Sequence, residues 1–158
     1  MHHAQRPIVL ERNYLTTLAT IWNLWTTKVG FESWWGPQGF RVEVAELQAQ
    51  PGGALRYDMI ADTPEMIAAM QQMGQPTRHA TQSYFREMHA MQHLVITSTI
   101  DFLPGVTPYE ASITVKFAER DGSVHLTITL DPMHDAAFTS MQEQGFTSQL
   151  TKLDARFA

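Results

Sequence analysis

The sequence contains no cysteine among its 158 residues. Disulfide bonds, thiol nucleophiles and cysteine-ligated zinc or iron–sulfur sites are therefore excluded. The absence does not indicate a compartment, because a secreted protein can also lack cysteine. Any chemistry that the protein performs must use other side chains.

Positive charge is also scarce. Lysine and arginine total 11 against 16 acidic residues, the formal net charge is −5, and no run of basic residues occurs anywhere in the chain. Surfaces that bind nucleic acids need clustered Lys and Arg to neutralise phosphates. We therefore expect no nucleic-acid partner.

Long apolar runs are missing as well. No stretch has the length of a signal-peptide core or approaches the roughly 20 apolar residues of a membrane-spanning helix. With 44% hydrophobic and 17% charged residues, the composition is that of an ordinary globular protein. We predict a single domain over residues 1–158 that is cytoplasmic and has no membrane partner.

Motifs of several enzyme and metal classes are absent too. The chain has no nucleophile elbow, no phosphate-binding loop and no HExxH motif. His89 and His93 are four residues apart, but we interpret their segment as a loop leading into a strand, and two ligands without a third define no coordination set. We therefore expect neither a metal site nor a cofactor.

The clearest positive pattern is alternation of apolar and polar residues in three consecutive segments, 94–102, 111–117 and 124–130. A period of two predicts strands with one buried and one solvent-facing side. Asp121-Gly122, between the second and third segments, fits a two-residue hairpin turn because both positions tolerate positive φ. The pattern predicts an antiparallel sheet that is covered on one face.

A helix that begins near Asp135 is predicted to cover this sheet. Its apolar residues recur at helical spacing and are Phe138, Met141, Phe146, Leu150, Leu153 and Phe157. Gly145 lies inside this helix, where glycine costs about 1 kcal/mol relative to alanine. Close packing against the sheet is the preferred explanation for this glycine, and space for a ligand is the alternative.

The first half of the chain is less regular. Residues 8–12, 42–47 and 55–60 are predicted as strands, and residues 14–26 as a helix. These elements precede the segment with the clearest helix-capping signals.

A helix rich in methionine is predicted between Thr63, a capping residue, and Gly74. Met66, Met70 and Met73 fall on one face of it, and we expect them to face inward. Such a stripe is usually ordinary core, but flexible thioethers also suit surfaces that adapt to varied apolar partners. The alternative to core packing is a mobile lid over a cavity opening.

Three longer motifs together carry a family resemblance. IWNLWTTKVGFESWWGPQGF, QPGGALRYDM and GFTSQLTKL resemble the heat-shock-protein ATPase activator-like family of the START-like (SRPBCC) superfamily, over nearly the whole chain. The matching positions are Trp22, Trp25, Thr26, the turn from Trp34 to Pro37, Gly52, Gly53, Gly145 and Phe146. The piece from Asp62 to Thr77 is longer than the short turn of the simplest members.

The resemblance implies an α+β helix-grip fold, in which a curved antiparallel sheet wraps a long C-terminal helix and leaves a cavity between them. Members of the superfamily bind or transform lipids, polyketides, hormones and aromatic compounds. We therefore expect a small apolar or aromatic ligand, with either Trp34 or Trp35 at the cavity. The expected lining residues are Trp35, Phe40, Tyr57, Met59, Met66, Met70, Met73, Phe102, Met141 and Phe146.

Two other functions stay open. A cofactor-free acid–base enzyme of the cyclase or hydratase type would use His134 with Asp101 or Tyr109. We favour the simpler interpretation, that Asp135 caps the helix and His134 is a solvated loop residue. A protein-interaction or stress-response module would bind its partner through the methionine-rich helix, and a homodimer is compatible with the sequence.

Overall fold

A computed structural model describes residues 6–101 and 103–158 of the chain. Seven strands and four helices are found among the described residues. They are β1 (Ile8–Tyr14), α1 (Leu18–Thr26), α2 (Lys28–Glu32), β2 (Phe40–Leu47), β3 (Ala54–Ala61), α3 (Pro64–Gln72), β4 (Arg78–His89), β5 (His93–Ile100), β6 (Tyr109–Arg120), β7 (Ser123–Leu130) and α4 (Ala136–Arg156). None of the helices in these described ranges is long and apolar enough to cross a membrane.

The strands form one antiparallel sheet in the order β1-β7-β6-β5-β4-β3-β2. The long helix α4 lies against one face of this sheet. Asp154 near its C-terminal end accepts hydrogen bonds from Arg12 and Tyr14 of β1, while Lys152 donates to the carbonyl of Phe40 on β2 at the opposite edge. The predicted α+β helix-grip fold is confirmed.

Two local predictions are also confirmed. Asp121 and Gly122 have φ of 37° and 82° and connect β6 to β7, so the turn uses the positive φ that these residue types tolerate. Asp135 is the N-cap of α4, and its carboxylate accepts a hydrogen bond from the backbone N–H of Phe138 at 2.8 Å.

The core is dominated by an aromatic cluster where α1, α2 and the Trp34-Trp35 turn meet α4. Trp34 is 1% exposed, and its indole N–H donates to the carbonyl of Leu24 at the end of α1, at 2.7 Å. Trp35 is 4% exposed, and its indole N–H donates to the hydroxyl of Tyr57 at 3.1 Å. Both tryptophans therefore close the core, each with its polar atom satisfied.

The strand β4 and the start of α1 differ from the sequence expectations. β4 is not predicted from the sequence, because its inner face carries polar residues such as His79, Thr81 and Ser83, and apolar alternation is missing. The predicted start of the first helix at residue 14 is wrong, because Tyr14 belongs to β1 and the helix begins after its N-cap Thr17.

The alternation of residues 94–102 predicts that the outer face of the sheet is open to solvent. In the structure, part of this face is buried. Val95 and Thr97 are 2% and 1% exposed although they point away from α4. Thr97 lies opposite Tyr84 on β4 and bonds the hydroxyl of Ser112 on β6 at 2.8 Å. Neighbouring side chains on the same face therefore cover these positions.

The methionine-rich helix forms as predicted, with Thr63 as its N-cap. It has no buried residue, and Met73 is 63% exposed, so the expectation that all three methionines face inward is wrong. Met66 and Met70 are half-buried. Met66 lies against Gly39, where a Cβ would come within 3.0 Å of the Met66 methyl group. α3 is thus docked by a few contacts at one end rather than by a continuous stripe.

Candidate functional site

A cavity of about 330 Å³ opens near the end of β3, the start of β4 and the end of β5. It is lined by Met59, His79, Ala80, Thr81 and Asp101. Met59 lies opposite His79, and Tyr57 lies opposite Thr81, so Met59, His79 and Thr81 share the inner face of the sheet with the core residue Tyr57. We call this space the concave cavity.

The cavity lies where the sheet splits. Among the residues that the structure describes, β4 pairs with β5 only from Ser83 and Ser98 onward. The preceding residues 78–82 of β4 pair with β3, whereas Thr99 and Ile100 of β5 pair with β6. The two strands therefore diverge toward the concave cavity.

A second cavity of about 90 Å³ lies in this divergence, and we call it the strand cleft. It is lined by Ala80, Thr81, Gln82, Ser98, Thr99, Ile100 and Asp101. Ala80, Thr81 and Asp101 line both spaces. The concave cavity and the strand cleft are therefore adjacent.

The lining is polar at one end and short of positive charge. Asp101 is the one carboxylate among the described lining residues, and neither Lys nor Arg occurs there. Hydroxyl groups come from Thr81, Ser98 and Thr99, and His79 contributes an imidazole. Such a lining can accept hydrogen bonds from a ligand and attracts cations more than anions.

The residues expected to line a cavity are distributed differently. Met59 lines the concave cavity, and Met141 is 57% exposed. Trp35, Tyr57 and Phe146 are buried in the aromatic cluster, and Phe102 lies outside the described residues. Phe40, like Met66 and Met70, is half-buried.

The space beside Trp35 is filled with rings. Trp35 stacks on Phe31 with ring centroids 4.4 Å apart and meets Phe146 edge-on at 5.8 Å. Tyr57 completes this group at 6.4 Å from Trp35. The open volume instead lies farther along β3 and β4, next to Met59 and His79.

The space around Gly145 of α4 is open rather than tightly packed. A Cβ built on this residue meets no atom within 4 Å. The preferred sequence interpretation, close packing of α4 on the sheet at this glycine, is therefore wrong.

His134 and Tyr109 come together as the enzyme hypothesis requires. The Tyr109 hydroxyl lies 2.9 Å from Nδ1 of His134 and accepts the backbone N–H of His134 at 3.2 Å. His134 Nε2 lies 3.5 Å from the Asp135 carboxylate. The His134 side chain is 19% exposed, so the expectation of a solvated loop histidine is wrong. Asp101 lines the two cavities, one strand away from Tyr109.

His89 and His93 form a cross-strand pair rather than a loop. They lie opposite each other at the β4–β5 hairpin, with ring centroids 4.4 Å apart. Within residues 6–101 and 103–158, no group of three or more metal-binding side chains is placed to hold an ion.

Burial raises the pKa of Tyr57, although its hydrogen bonds with Trp35 and Thr81 oppose this effect. The folded-state pKa therefore lies above the unfolded value of about 10, and above that pH the unfolded chain releases a proton that the folded chain keeps. Stability from this group is complete below about pH 10 and is lost as the pH rises further.

We expect Tyr57→Phe to flatten the loss of stability above pH 10 by up to about 1.4 kcal/mol per pH unit. Urea unfolding of both proteins between pH 9 and about pH 11 measures this slope. We expect Tyr14→Phe to flatten the slope in the same way, because burial and the hydrogen bond to Asp154 also raise the pKa of Tyr14. If the free energy of unfolding falls with pH equally steeply in wild type and Tyr57→Phe, the prediction is contradicted.

Comparison with protein families finds a match over most of the chain. The family described as Activator of Hsp90 ATPase homolog 1-like protein matches residues 15–158. None of the curated proteins compared with the chain matches it.

Solved structures with the same fold come from several bacteria. A crystal structure from Chromobacterium violaceum has a TM-score of 0.77 and 20% identity, and covers 96% of each chain. One from Silicibacter pomeroyi has a TM-score of 0.73 and 19% identity, and also covers 96% of each chain. A solution structure from Staphylococcus epidermidis has a TM-score of 0.72 and 21% identity, and covers 99% of this chain and 92% of the other. At these identities the likeness shows a shared fold.

Proposed function

This chain belongs to the Activator of Hsp90 ATPase homolog 1-like family, and from that premise we propose that it binds a small, largely apolar molecule. The observation that carries the proposal is the concave cavity of about 330 Å³. Small-molecule sites have volumes of about 300–1,000 Å³ and combine apolar walls with a few polar groups. The concave cavity is at the lower end of that range, which favours a small ligand.

The lining supports this choice of ligand. Met59 and Ala80 offer apolar contacts, whereas His79, Thr81 and Asp101 offer polar ones. A flexible thioether adapts its shape to varied apolar groups. The family name refers to an activity on Hsp90, and the proposal depends on the cavity rather than on that name.

Binding is tested with N-phenyl-1-naphthylamine, a neutral fluorescent probe, and with a variant that fills the cavity. We expect His79→Trp to lower probe affinity by about tenfold or more, because an indole would occupy space that the probe needs. His89→Trp, at the other end of β4, is the matched control and should bind as wild type does. Thermal unfolding of both variants verifies folding, and wild type that binds no probe would overturn the proposal.

The helix α3 is the element that we propose opens and closes the site. It follows β3, which carries Met59, and it has no buried residue. Segments with few buried contacts open most readily. Amide hydrogen exchange in α3 should slow when N-phenyl-1-naphthylamine binds, whereas exchange in β6 should not change. Exchange in α3 that is as slow as in β6 without probe would contradict the gate.

Acid–base catalysis is the second candidate function, and the observation that favours it is the 2.9 Å contact between Tyr109 and His134. Tyr109 lies opposite Ile100, which lines the strand cleft, so a bound molecule would lie one strand away from the pair. A ligand retained by the purified protein would be incubated with wild type and with His134→Gln and analysed by mass spectrometry. Catalysis predicts conversion by wild type alone, and an unchanged ligand in both samples rejects it.

A further inference from the structure

The strand cleft adjoins the concave cavity and lies in the gap between β4 and β5. Ala80, Thr81 and Asp101 belong to both linings. A further group of a molecule in the concave cavity can therefore reach the strand cleft beside these shared residues. The chemistry of the strand cleft then determines which group fits there.

Backbone groups contribute to that chemistry. Along a strand, successive residues direct their N–H and C=O groups alternately to the two neighbouring strands. In residues 78–82 the β3 side is paired, whereas pairing with β5 begins only at Ser83 and Ser98. Backbone groups on the β5 side of this segment thus face the strand cleft, where a polar ligand group can pair with them.

Side chains determine the sign of charge that the cleft accepts. Asp101 is the single ionisable side chain in the described lining of the strand cleft, beside the hydroxyls of Thr81, Ser98 and Thr99. The Ser98 hydroxyl is already bonded to Ser83 at 2.7 Å. An anionic group would lie near a carboxylate with no Lys or Arg in the described lining to offset it, whereas an amine or hydroxyl would donate to Asp101.

We propose that the strand cleft binds the polar end of the ligand, and that this end is a neutral or positively charged hydrogen-bond donor rather than a carboxylate or phosphate. The inference rests on the proposed binding of an apolar molecule in the concave cavity, and it assigns the class of that molecule: an amphipathic amine or alcohol. Asp101 is the residue that discriminates between head groups.

Three probes with the same alkyl chain test the assignment: n-octylamine, 1-octanol and octanoate, each measured by displacement of N-phenyl-1-naphthylamine at pH 7. We expect octylamine to bind about tenfold more tightly than octanoate, with octanol between them. Asp101→Asn should lower octylamine affinity by about fivefold, the upper end for an exposed ion pair, and leave octanol within about twofold. Glu119→Gln, an exposed carboxylate of β6 away from the site, is the control and should change none of the three.

The outcomes separate this inference from the proposed function. If N-phenyl-1-naphthylamine binds and the three alkyl probes displace it with equal affinity, the head-group assignment is overturned. The proposed function then still stands. Tightest binding of octanoate would overturn the assignment as well. An equal loss for all three probes in Asp101→Asn would show that Asp101 shapes the cavity and does not select charge. Absence of any probe binding would overturn the proposed function itself.

Discussion

Trp34→Ala is expected to lower the free energy of unfolding by about 3–5 kcal/mol, the range for deleting a large aromatic side chain from a core. Trp34 is 1% exposed, and its ring centroid lies 4.9 Å from that of Trp25 and 5.1 Å from that of Trp35. The variant therefore leaves a cavity in the aromatic cluster and removes the donor to Leu24. This loss is a large share of a typical stability of about 5–15 kcal/mol.

Guanidinium unfolding followed by circular dichroism measures the effect. Leu15→Ala is the control, because Leu15 is 78% exposed and its truncation should change stability by less than about 0.5 kcal/mol. A Trp34→Ala loss of less than about 1 kcal/mol would show that the cluster collapses around the missing ring or is loosely packed.

The two indole N–H groups allow a sharper comparison. The Trp34 indole donates to the Leu24 carbonyl, whereas the buried Trp25 indole nitrogen has no hydrogen-bond partner among the described residues. Trp34→Phe leaves a buried carbonyl without its donor, while Trp25→Phe removes an unsatisfied donor. We expect Trp34→Phe to be the more destabilising of the two by about 1–3 kcal/mol. An equal loss for both would mean that ring volume alone determines stability here.

Gly53→Ala is expected to destabilise the protein by about 3 kcal/mol, at the upper end for an overpacked site. A Cβ on Gly53 would lie 2.0 Å from the carbonyl oxygen of Gln48, and this oxygen belongs to the backbone, so no side-chain rotation relieves the clash. The carbonyl of Gly53 also accepts the N–H of Phe85 at 2.9 Å. Shifting Gly53 therefore disturbs the turn between β2 and β3 and its contact with β4.

Gly145→Ala is the matched control with the opposite sign. A Cβ there meets nothing within 4 Å, and the residue lies inside α4. Alanine should therefore stabilise the protein by up to about 1 kcal/mol through helix propensity. Thermal unfolding of the two variants beside wild type measures both effects. A Gly53→Ala protein as stable as wild type would mean that the turn adopts another conformation at little cost.

Elements specified by a short local pattern could be predicted from the sequence. The turn Asp121-Gly122, the cap Asp135 and the strands around them each depend on neighbouring residues alone. The helix capped by Thr63 belongs to the same class. The orientation of this helix could not be predicted, because spacing specifies which residues share a face and not what that face contacts.

The candidate site could not be predicted in the same way. His79 and Thr81 face inward on a strand without apolar alternation, so no periodicity marks them as lining residues. The strand cleft depends on where pairing between β4 and β5 stops, which is a property of two chain segments together. A weak signal was present in the β-branched and aromatic residues of HATQSYF, whose propensity favours a strand.

The surroundings of Trp35 could not be predicted from the sequence either. Aromatic residues in the turn indicate burial, but burial against Phe31 and Phe146 and burial against a ligand give the same sequence pattern. Phe146 comes from the C-terminal helix, so the filled volume depends on how distant elements meet. The choice between a packed core and a void thus requires coordinates.

The pairing of β1 with β7 has a consequence for synthesis on the ribosome. Strands β2 to β6 each pair with the next strand in the chain, whereas Ile8 of β1 pairs with Leu130 of β7. β1 precedes the other described strands in the chain, so it meets its partner only after all of them have been made. At about 5–20 residues per second, this takes several seconds or more, during which β1 lacks its native partner strand.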